Sequence, residues 1–409
     1  MRINIIGAGM GGLTAALMLH EAGQDVHVYE AVSEIKALGV GINLLPHASI
    51  FMKRLGVLDD LLSLGVATKE LSFYNKFGQH IWTEPRGLFG GFASPQISLG
   101  RGDLQLTLLK HVKDRLGADR VHTGVRLKSF RTEGDIAIGV CETDTGAEIE
   151  LQSDLLICAD GIHSVARNQM YPDEGLPRYA GRVLWRATSL VQPYLSGASM
   201  IMAGHQSEKF VCYPIEPVRE DGLQRINWIA ELNVPELLDR EDWNRPGNVD
   251  DFWPVFKDWE FDWLDIPELI RTAESVYEFP LVDRDPVDSW SEGRVTLLGD
   301  AAHPMYPIGS NGATQAMLDA DCIARVVSAG GRIDEMLTAY EAERRTATAK
   351  IVLSNRKNGP EICMQMAHER APNGFEKLDD VFAPGELQEI ADHYKQLTGM
   401  KKVQTKAPA

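Results

Sequence analysis

Arg2-Ile3-Asn4-Ile5-Ile6-Gly7-Ala8-Gly9-Met10-Gly11-Gly12 is a short apolar run that passes directly into a G-x-G-x-x-G. A helical pattern follows through Leu13, Ala16, Leu17 and His20, and Gly23 is its stop. Asp25-Val26-His27-Val28-Tyr29 reads as a second strand, and it ends on Glu30. Strand, glycine turn, helix, strand and acid come in the order that a dinucleotide-binding βαβ unit requires. Gly7 permits the tight turn, Gly9 lets a pyrophosphate reach the backbone, and Gly12 lets helix and strand pack closely. The phosphates would rest on the free N–H groups and positive dipole of the helix start. Glu30 can accept hydrogen bonds from an adenosine ribose and would repel a 2′-phosphate, which disfavours NADP in this slot. The motif alone does not separate FAD from NAD.

Working outward, 409 residues are enough for two or three domains with ample core. A formal charge of −17 argues against a general nucleic-acid or anionic-membrane partner. Cys141, Cys158, Cys212, Cys322 and Cys363 stand singly, with no C-x-x-C, which points to a reducing compartment, the cytoplasm. Zinc-ribbon and dithiol chemistry are thereby set aside, and no metal site is expected. No stretch reaches the ~20 uncharged apolar residues of a membrane span. The core strand at residue 2 leaves no room for a signal peptide.

After Glu30, residues 37–43 bring flexible glycines among apolar residues, as in a loop lying against something flat. A helix begun by Pro46 is expected over residues 46–55, with His47 in its first turn, either solvated or an acid/base near a cofactor. Residues 71–74 and 81–84 alternate like strands around a turn at 77–79. Arg101-Gly102-Asp103 precedes a helix with Asp103 as its expected N-cap, and Arg101 could bind a phosphate or form a surface ion pair. A meander is expected from residues 121–130, 136–142 and 148–151. The buried-type strand at 154–159 then ends in Asp160-Gly161, with Arg167 about one helical turn on. An acid and glycine at a parallel strand's carboxyl end suit a ligand contact, or only a helix cap.

Between residues 181 and 275 the texture is that of an antiparallel sheet, and Trp243, Trp253, Trp259 and Trp263 crowd its later part. These aromatics could line a cavity for a flat substrate or simply pack a core. Tyr213 is the preferred pocket residue, since its hydroxyl could bond a phenolic or carboxylate group. Residues 294–298 form another buried-type strand ending in Gly299-Asp300. A Gly/Pro-rich loop leads from there to a long helix near Gly312. Asp300 could bind a sugar-like hydroxyl chain, and that helix's positive end would stabilise negative charge on a reduced flavin. The expected architecture is α/β. A Rossmann-like domain with a mixed sheet spans residues 1–70, 98–180 and 276–355. An α+β substrate domain on an antiparallel sheet spans 71–97 and 181–275, and a helical tail without evident chemistry spans 356–409.

Taken together, Gly7 to Gly12 with Glu30, Asp160-Gly161 and Gly299-Asp300 resemble the single-component FAD-dependent aromatic hydroxylases, the group of para-hydroxybenzoate and salicylate hydroxylases. Within the group, Leu38 to Asn43, Trp82 to Gly87, Trp243-Asn244-Arg245 and Val282 to Pro286 look most like the phenazine-carboxylate-type monooxygenases of pyocyanin biosynthesis. The resemblance implies that Gly7, Gly9, Gly12 and Glu30 hold the adenosine half of FAD, Arg101 its pyrophosphate, the Leu127 backbone its adenine and Asp300 its ribityl chain. Gly41, Asn43 and the backbone of Gly309, Asn311, Gly312 and Ala313 would touch the isoalloxazine. Asp160 and Arg167 would belong to a motif tied to FAD and nicotinamide binding, and Tyr213, Tyr306 and Pro307 would face the substrate. The chain departs from the pattern at Gly100, where many relatives carry His, and at Asn43, where hydroxynicotinate enzymes carry a catalytic histidine.

The implied reaction is a monooxygenation. NADH or NADPH, binding transiently, reduces FAD, and O₂ forms a C4a-hydroperoxide that hydroxylates a planar aromatic or heteroaromatic substrate. A carboxylate substrate, with or without decarboxylation, fits the same reading. No second full G-x-G-x-x-G marks a separate NAD domain, and missing cysteine pairs argue against disulfide reductases. The same motifs would also serve an FAD-dependent oxidase or reductase of a non-aromatic substrate, or, more remotely, a nucleotide-binding protein without turnover. A monomer or a homodimer is expected, with a small aromatic molecule as its partner.

Overall fold

The computed structural model describes residues 1–36, 39–236 and 245–398. Leu38, Trp243, Asn244 and the last part of the expected tail, residues 399–409, lie outside it.

Arg2–Ile6 is an inner strand of a six-stranded sheet. It pairs in parallel with Asp25–Glu30 on one side and Leu155–Cys158 on the other, and Val295–Leu297 follows beyond. Ile3, Ile5, Leu156 and Ile157 are fully buried, as strands covered on both faces should be. Helices Met10–Glu21, Arg101–Leu116 and Gly312–Ala329 pack side by side, and an antiparallel meander (Val125–Glu133, Ile136–Thr143, Glu148–Ser153) packs on the same sheet. The glycine turn, Asp160 and Gly299-Asp300 therefore follow neighbouring parallel strands at one carboxyl edge.

A second, eight-stranded sheet is antiparallel except where Ser199–His205 lies parallel to Glu70–Tyr74. The fold is thus the α/β architecture expected, with three local corrections. Tyr277–Asp283 pairs with Arg178–Val191, so the expected domain limit at 180/181 cuts a strand of the large sheet, and the limit at 275/276 separates Tyr277–Asp283 from the sheet it belongs to. The helix expected after Asp103 starts at Arg101. Its N-cap is Gly100, with Asp103 in the first turn, because the extended backbone of Gly100 already turns the chain into the helix. The single strand expected over 121–130 is two, Val121–Thr123 in the parallel sheet and Val125–Glu133 in the meander, broken at Gly124 with φ +69°.

The tail is helical at Ile362–Arg370 and Glu386–Thr398, and it is more than an appendage. Cys363, Met364, Val381, Phe382 and Leu387 bury themselves against Leu71, Phe73, Met200 and Met202 of the large sheet. Among the described residues, no helix is long and apolar enough to cross a membrane.

Candidate active site

The three carboxyl-edge loops open into one cavity of about 330 Å³. Its wall includes Gly9, Met10 and Gly11, then Ala159 and Gly161, then Gly299 and Asp300. The glycine roles read from the sequence have physical counterparts. A Cβ on Gly7 would overlap the Ala159 carbonyl, and one on Gly12 would overlap the Gly7 carbonyl, whereas nothing lies within 4 Å of the Cβ position at Gly9. No side chain caps the helix that begins at Met10, so its first N–H groups remain available to an anion. The Glu30 carboxylate accepts from the N–H groups of Ala8 (2.8 Å) and Val32 (3.0 Å), which fastens the glycine turn to the end of the second strand.

Asp300 faces the cavity. Crowding by protein raises its pKa, which the neighbouring His303 and Arg101 partly oppose. Its turn is fixed by a residue the sequence reading missed, Asp319, which is fully buried on the helix Gly312–Ala329. Asp319 accepts from the Gly299 N–H (3.1 Å) and Arg344 Nε (2.7 Å) and lies 2.5 Å from His303 Nε2. Burial alone would raise its pKa, but His303 and Arg344 outweigh that and hold it below the usual value. The only hint in the sequence was an acid, followed by Asp321, within the otherwise apolar run from Ala316 to Ile323.

The opposite wall is one face of the large sheet. Side chains alternate between faces, and the register defines rows: Met202–Val211–Ile229–Arg186 and Lys209–Glu231–Leu184 lie side by side across neighbouring strands. These residues, with Tyr213, line the cavity. The alternate residues Trp185, Phe210, Cys212, Trp228 and Ala230 face away, into a core with Phe252, Phe256 and Trp259. Trp253, Trp259 and Trp263 belong to that core or pack on it and do not line the cavity, so of the two alternatives read from the sequence it is core packing that applies.

Arg186 is the second functional residue missed. It sits among Leu184, Trp185 and Ala187 in a buried strand, where a charge is costly without a partner. Its Nη2 donates to the Gly41 carbonyl (2.8 Å), its guanidinium lies 5.6 Å from the Phe279 ring centre, and its buried Nε has no partner. Burial lowers its pKa, contact with Tyr213 raises it, and the nearby Arg101 lowers it further. The Gly41 N–H donates to Asn227 Oδ1 (2.6 Å), and a Cβ on Gly41 would stand 2.7 Å from the Asn227 side chain. Both polar groups of Gly41 are thus held by the large sheet, which ties the short strand Gly41–Leu44 to that sheet at the cavity. Asn43, also on the wall, accepts from Ser98 Oγ (2.6 Å).

Deeper along the wall, Lys209 pairs with Glu231 (2.8 Å) and Glu361 (2.6 Å), and Arg182 with Glu231 (2.7 Å). Burial opposes the charge on Lys209, but the two carboxylates outweigh it and raise its pKa. Two cations balance two anions there, which leaves Arg101 and Arg186 as cavity cations without a carboxylate pair among the described residues.

Of the residues singled out in the sequence, Gly9, Gly41, Asn43, Arg101, Asp300, Gly312, Ala313, Tyr213 and Pro307 line the cavity. Gly7, Gly12, Glu30, Leu127, Asp160, Gly309 and Asn311 do not; Leu127 sits on the meander strand Val125–Glu133 with its side chain buried in the core. Asp160 Oδ2 accepts from the Val165 N–H (2.9 Å), while its buried Oδ1 has no partner. The helix that follows is capped by Ser164. Tyr306 is corrected: its side chain packs with Leu184, Leu281 and Ile308 instead of lining the cavity. Arg167 is corrected as well. Its guanidinium is consumed by Glu174 (2.9 and 2.6 Å) and by the carbonyls of Asp285, Ala301 and Ala302, so it ties two carboxyl-edge loops together. His47, expected to be solvated or an acid/base, is mostly buried. Burial and the neighbouring Arg344 lower its pKa to about 4. It does not line the cavity.

Comparison with known proteins places this geometry. A family model described as "FAD binding domain" matches residues 1–355. The phenazine 1,6-dicarboxylic acid hydroxylase PhzS of Lysobacter antibioticus is 43% identical over 363 residues, covering 87% of this chain and 89% of that protein. The 3-amino-4-hydroxybenzoate 2-monooxygenase PtnB3 of Streptomyces platensis is 29% identical, covering 93% and 94%. Among solved structures, Klebsiella pneumoniae HpxO complexed with FAD and uric acid superposes with a TM-score of 0.73 at 25% identity, covering 98% of this chain and 93% of that one.

Proposed function

Since the chain belongs to the FAD-binding-domain family of flavin-dependent monooxygenases, we propose that its cavity hydroxylates a planar aromatic acid whose carboxylate is held by Arg186. The observation that carries this reading is the partnerless, buried Nε of Arg186, beside the apolar row Met202–Val211–Ile229 and across the cavity from the three carboxyl-edge loops, while Lys209 and Glu231 on the same face are already paired. A guanidinium there matches a carboxylate's geometry. Met202, Val211, Ile229 and Leu184 offer the flat apolar surface that an aromatic ring needs.

The residues also fit FAD. The open Cβ position at Gly9, the uncapped helix start and the unpaired Arg101 suit a pyrophosphate, and Asp300 suits a polyol chain. Gly41, Asn43, Gly312 and Ala313 would bound the ring system. Glu30 and the backbone near Leu127 would hold the adenosine. Bound FAD would supply electron transfer from NADH or NADPH and the activation of O₂, with one atom for the ring and the other for water; the protein's contribution is placement and a dry, charged surrounding. Tyr213, buried and in contact with Arg186, would donate to the substrate, and burial keeps its hydroxyl protonated by raising its pKa. Met202, Val211 and Ile229 would exclude water from the ring. The dicarboxylated phenazine named for the Lysobacter relative and the aminohydroxybenzoate named for the Streptomyces one suggest a carboxylated aromatic here. Five buried, unpaired cysteines are in keeping with a cytoplasmic setting.

The test is a screen of aromatic acids and their uncharged analogues against the flavin-loaded protein, following NAD(P)H oxidation, peroxide and ¹⁸O in the product. Acids are expected to stimulate oxidation and carry the label. If no aromatic acid does either, the proposal fails.

A further inference from the structure

The C-terminal helix Glu386–Thr398 lies far along the chain from the glycine turn, yet one of its side chains ends against the loop at the cavity mouth. Residues 307–311 form this loop, and Pro307, Ile308 and Ser310 line the cavity. Its backbone is unusual: Gly309 has φ +68° and Ser310 φ +57°, the left-handed region that a serine seldom adopts. Such a conformation persists only where the surroundings impose it.

The imposing group is the Tyr394 hydroxyl, buried from solvent. It accepts from Asn311 Nδ2 (2.9 Å) and faces two acceptors, Asn355 Oδ1 (2.9 Å) and the Ile308 carbonyl (3.2 Å). Asn355 in turn donates to the Tyr306 carbonyl (3.0 Å). A Cβ on Gly309 would overlap that same hydroxyl, so the tyrosine also occupies the space on which the loop folds. One residue further on, Lys395 pairs with Glu84 of the large sheet. The helix is thereby anchored to the second sheet independently of the loop.

We propose that Tyr394 is a positioning residue. Its hydroxyl holds loop 307–311 in its left-handed form, so that the cavity stays closed to water while the ring is oxygenated. This inference rests on the monooxygenase reading above. Removing the hydroxyl strands the Asn355 acceptor in a buried place and leaves Asn311 Nδ2 only the Gly309 carbonyl (3.1 Å), which favours other loop conformations. A loosened loop admits water, and electrons from NAD(P)H then leave as hydrogen peroxide instead of entering product.

Tyr394→Phe removes the hydroxyl and keeps the ring. Lys395→Met is the companion variant, which breaks the neighbouring pair without touching the loop. Both are purified with FAD and compared with wild type in peroxide formed per NAD(P)H consumed, in flavin visible spectrum and in thermal midpoint. For Tyr394→Phe, about a fivefold or greater rise in the peroxide fraction is expected, with unchanged NAD(P)H oxidation rate and a shifted flavin spectrum. Lys395→Met should match wild type in both. Equal peroxide fractions and spectra in wild type and Tyr394→Phe would overturn the proposal, as would an equal rise in both variants, which would indicate loss of the helix as a whole. Failure of the wild type to oxygenate any aromatic acid would strike the underlying reading, whereas the spectral comparison of the flavin-loaded proteins would still judge Tyr394.

Discussion

Replacing Arg186 by Met tests the substrate assignment most directly. Methionine nearly fills the arginine stem's volume and removes the charge, the fork and the bond to the Gly41 carbonyl. A charge-assisted hydrogen bond to a buried carboxylate contributes about 2–3 kcal/mol, so Kd for an aromatic acid should rise about 30- to 150-fold. Loosening of Gly41 would weaken every ligand alike. The informative quantity is therefore the ratio of Kd for an acid to Kd for its carboxamide, each measured by titrating flavin absorbance changes. That ratio should rise by most of the full factor in Arg186→Met. Arg186→Lys, which keeps the charge but not the planar fork, should recover part of it. If acid and carboxamide weaken by the same factor, Arg186 supports the loop and does not read the anion.

Two further outcomes follow from the geometry. His47 has a folded-state pKa of about 4, against an ordinary value near 6.5, because burial and Arg344 disfavour its charge. The unfolded chain therefore binds more protons, and this stability, fully present above about pH 6.5, is lost as pH falls towards 4. His47→Leu should shrink the loss between pH 7 and 5, read from urea midpoints, by on the order of 2 kcal/mol; an unaltered pH dependence would contradict this. The paired glycines separate fold from ligand. Gly12→Ala should lower the thermal midpoint of the flavin-free protein through collision with Gly7, costing about 1–3 kcal/mol. Gly9→Ala, with open space at its Cβ, should leave that midpoint unchanged while lowering the flavin-to-protein absorbance ratio. An equal drop in midpoint for both would sink the distinction.

What the sequence determined was local. Residues 2–30 specify strand, turn, helix and strand from consecutive side chains, and Asp160-Gly161 and Gly299-Asp300 announce themselves by ending buried-type strands. Those signals need no knowledge of distant contacts, and parallel pairing then brings all three to one edge. The cavity's other wall was not legible in that way. Alternation shows that a strand has two faces but not which one meets the cavity, so Arg186 and the tryptophans could not be sorted until the sheet was placed. Asp319, Arg344 and Tyr394 act through partners many residues away, and Arg167 looked available until five carbonyl and carboxylate oxygens were found around its guanidinium. Short-range pattern fixed where a dinucleotide can rest. Only packing decided which buried charges are already paired and which are not, because a charge's availability depends on every group folded around it.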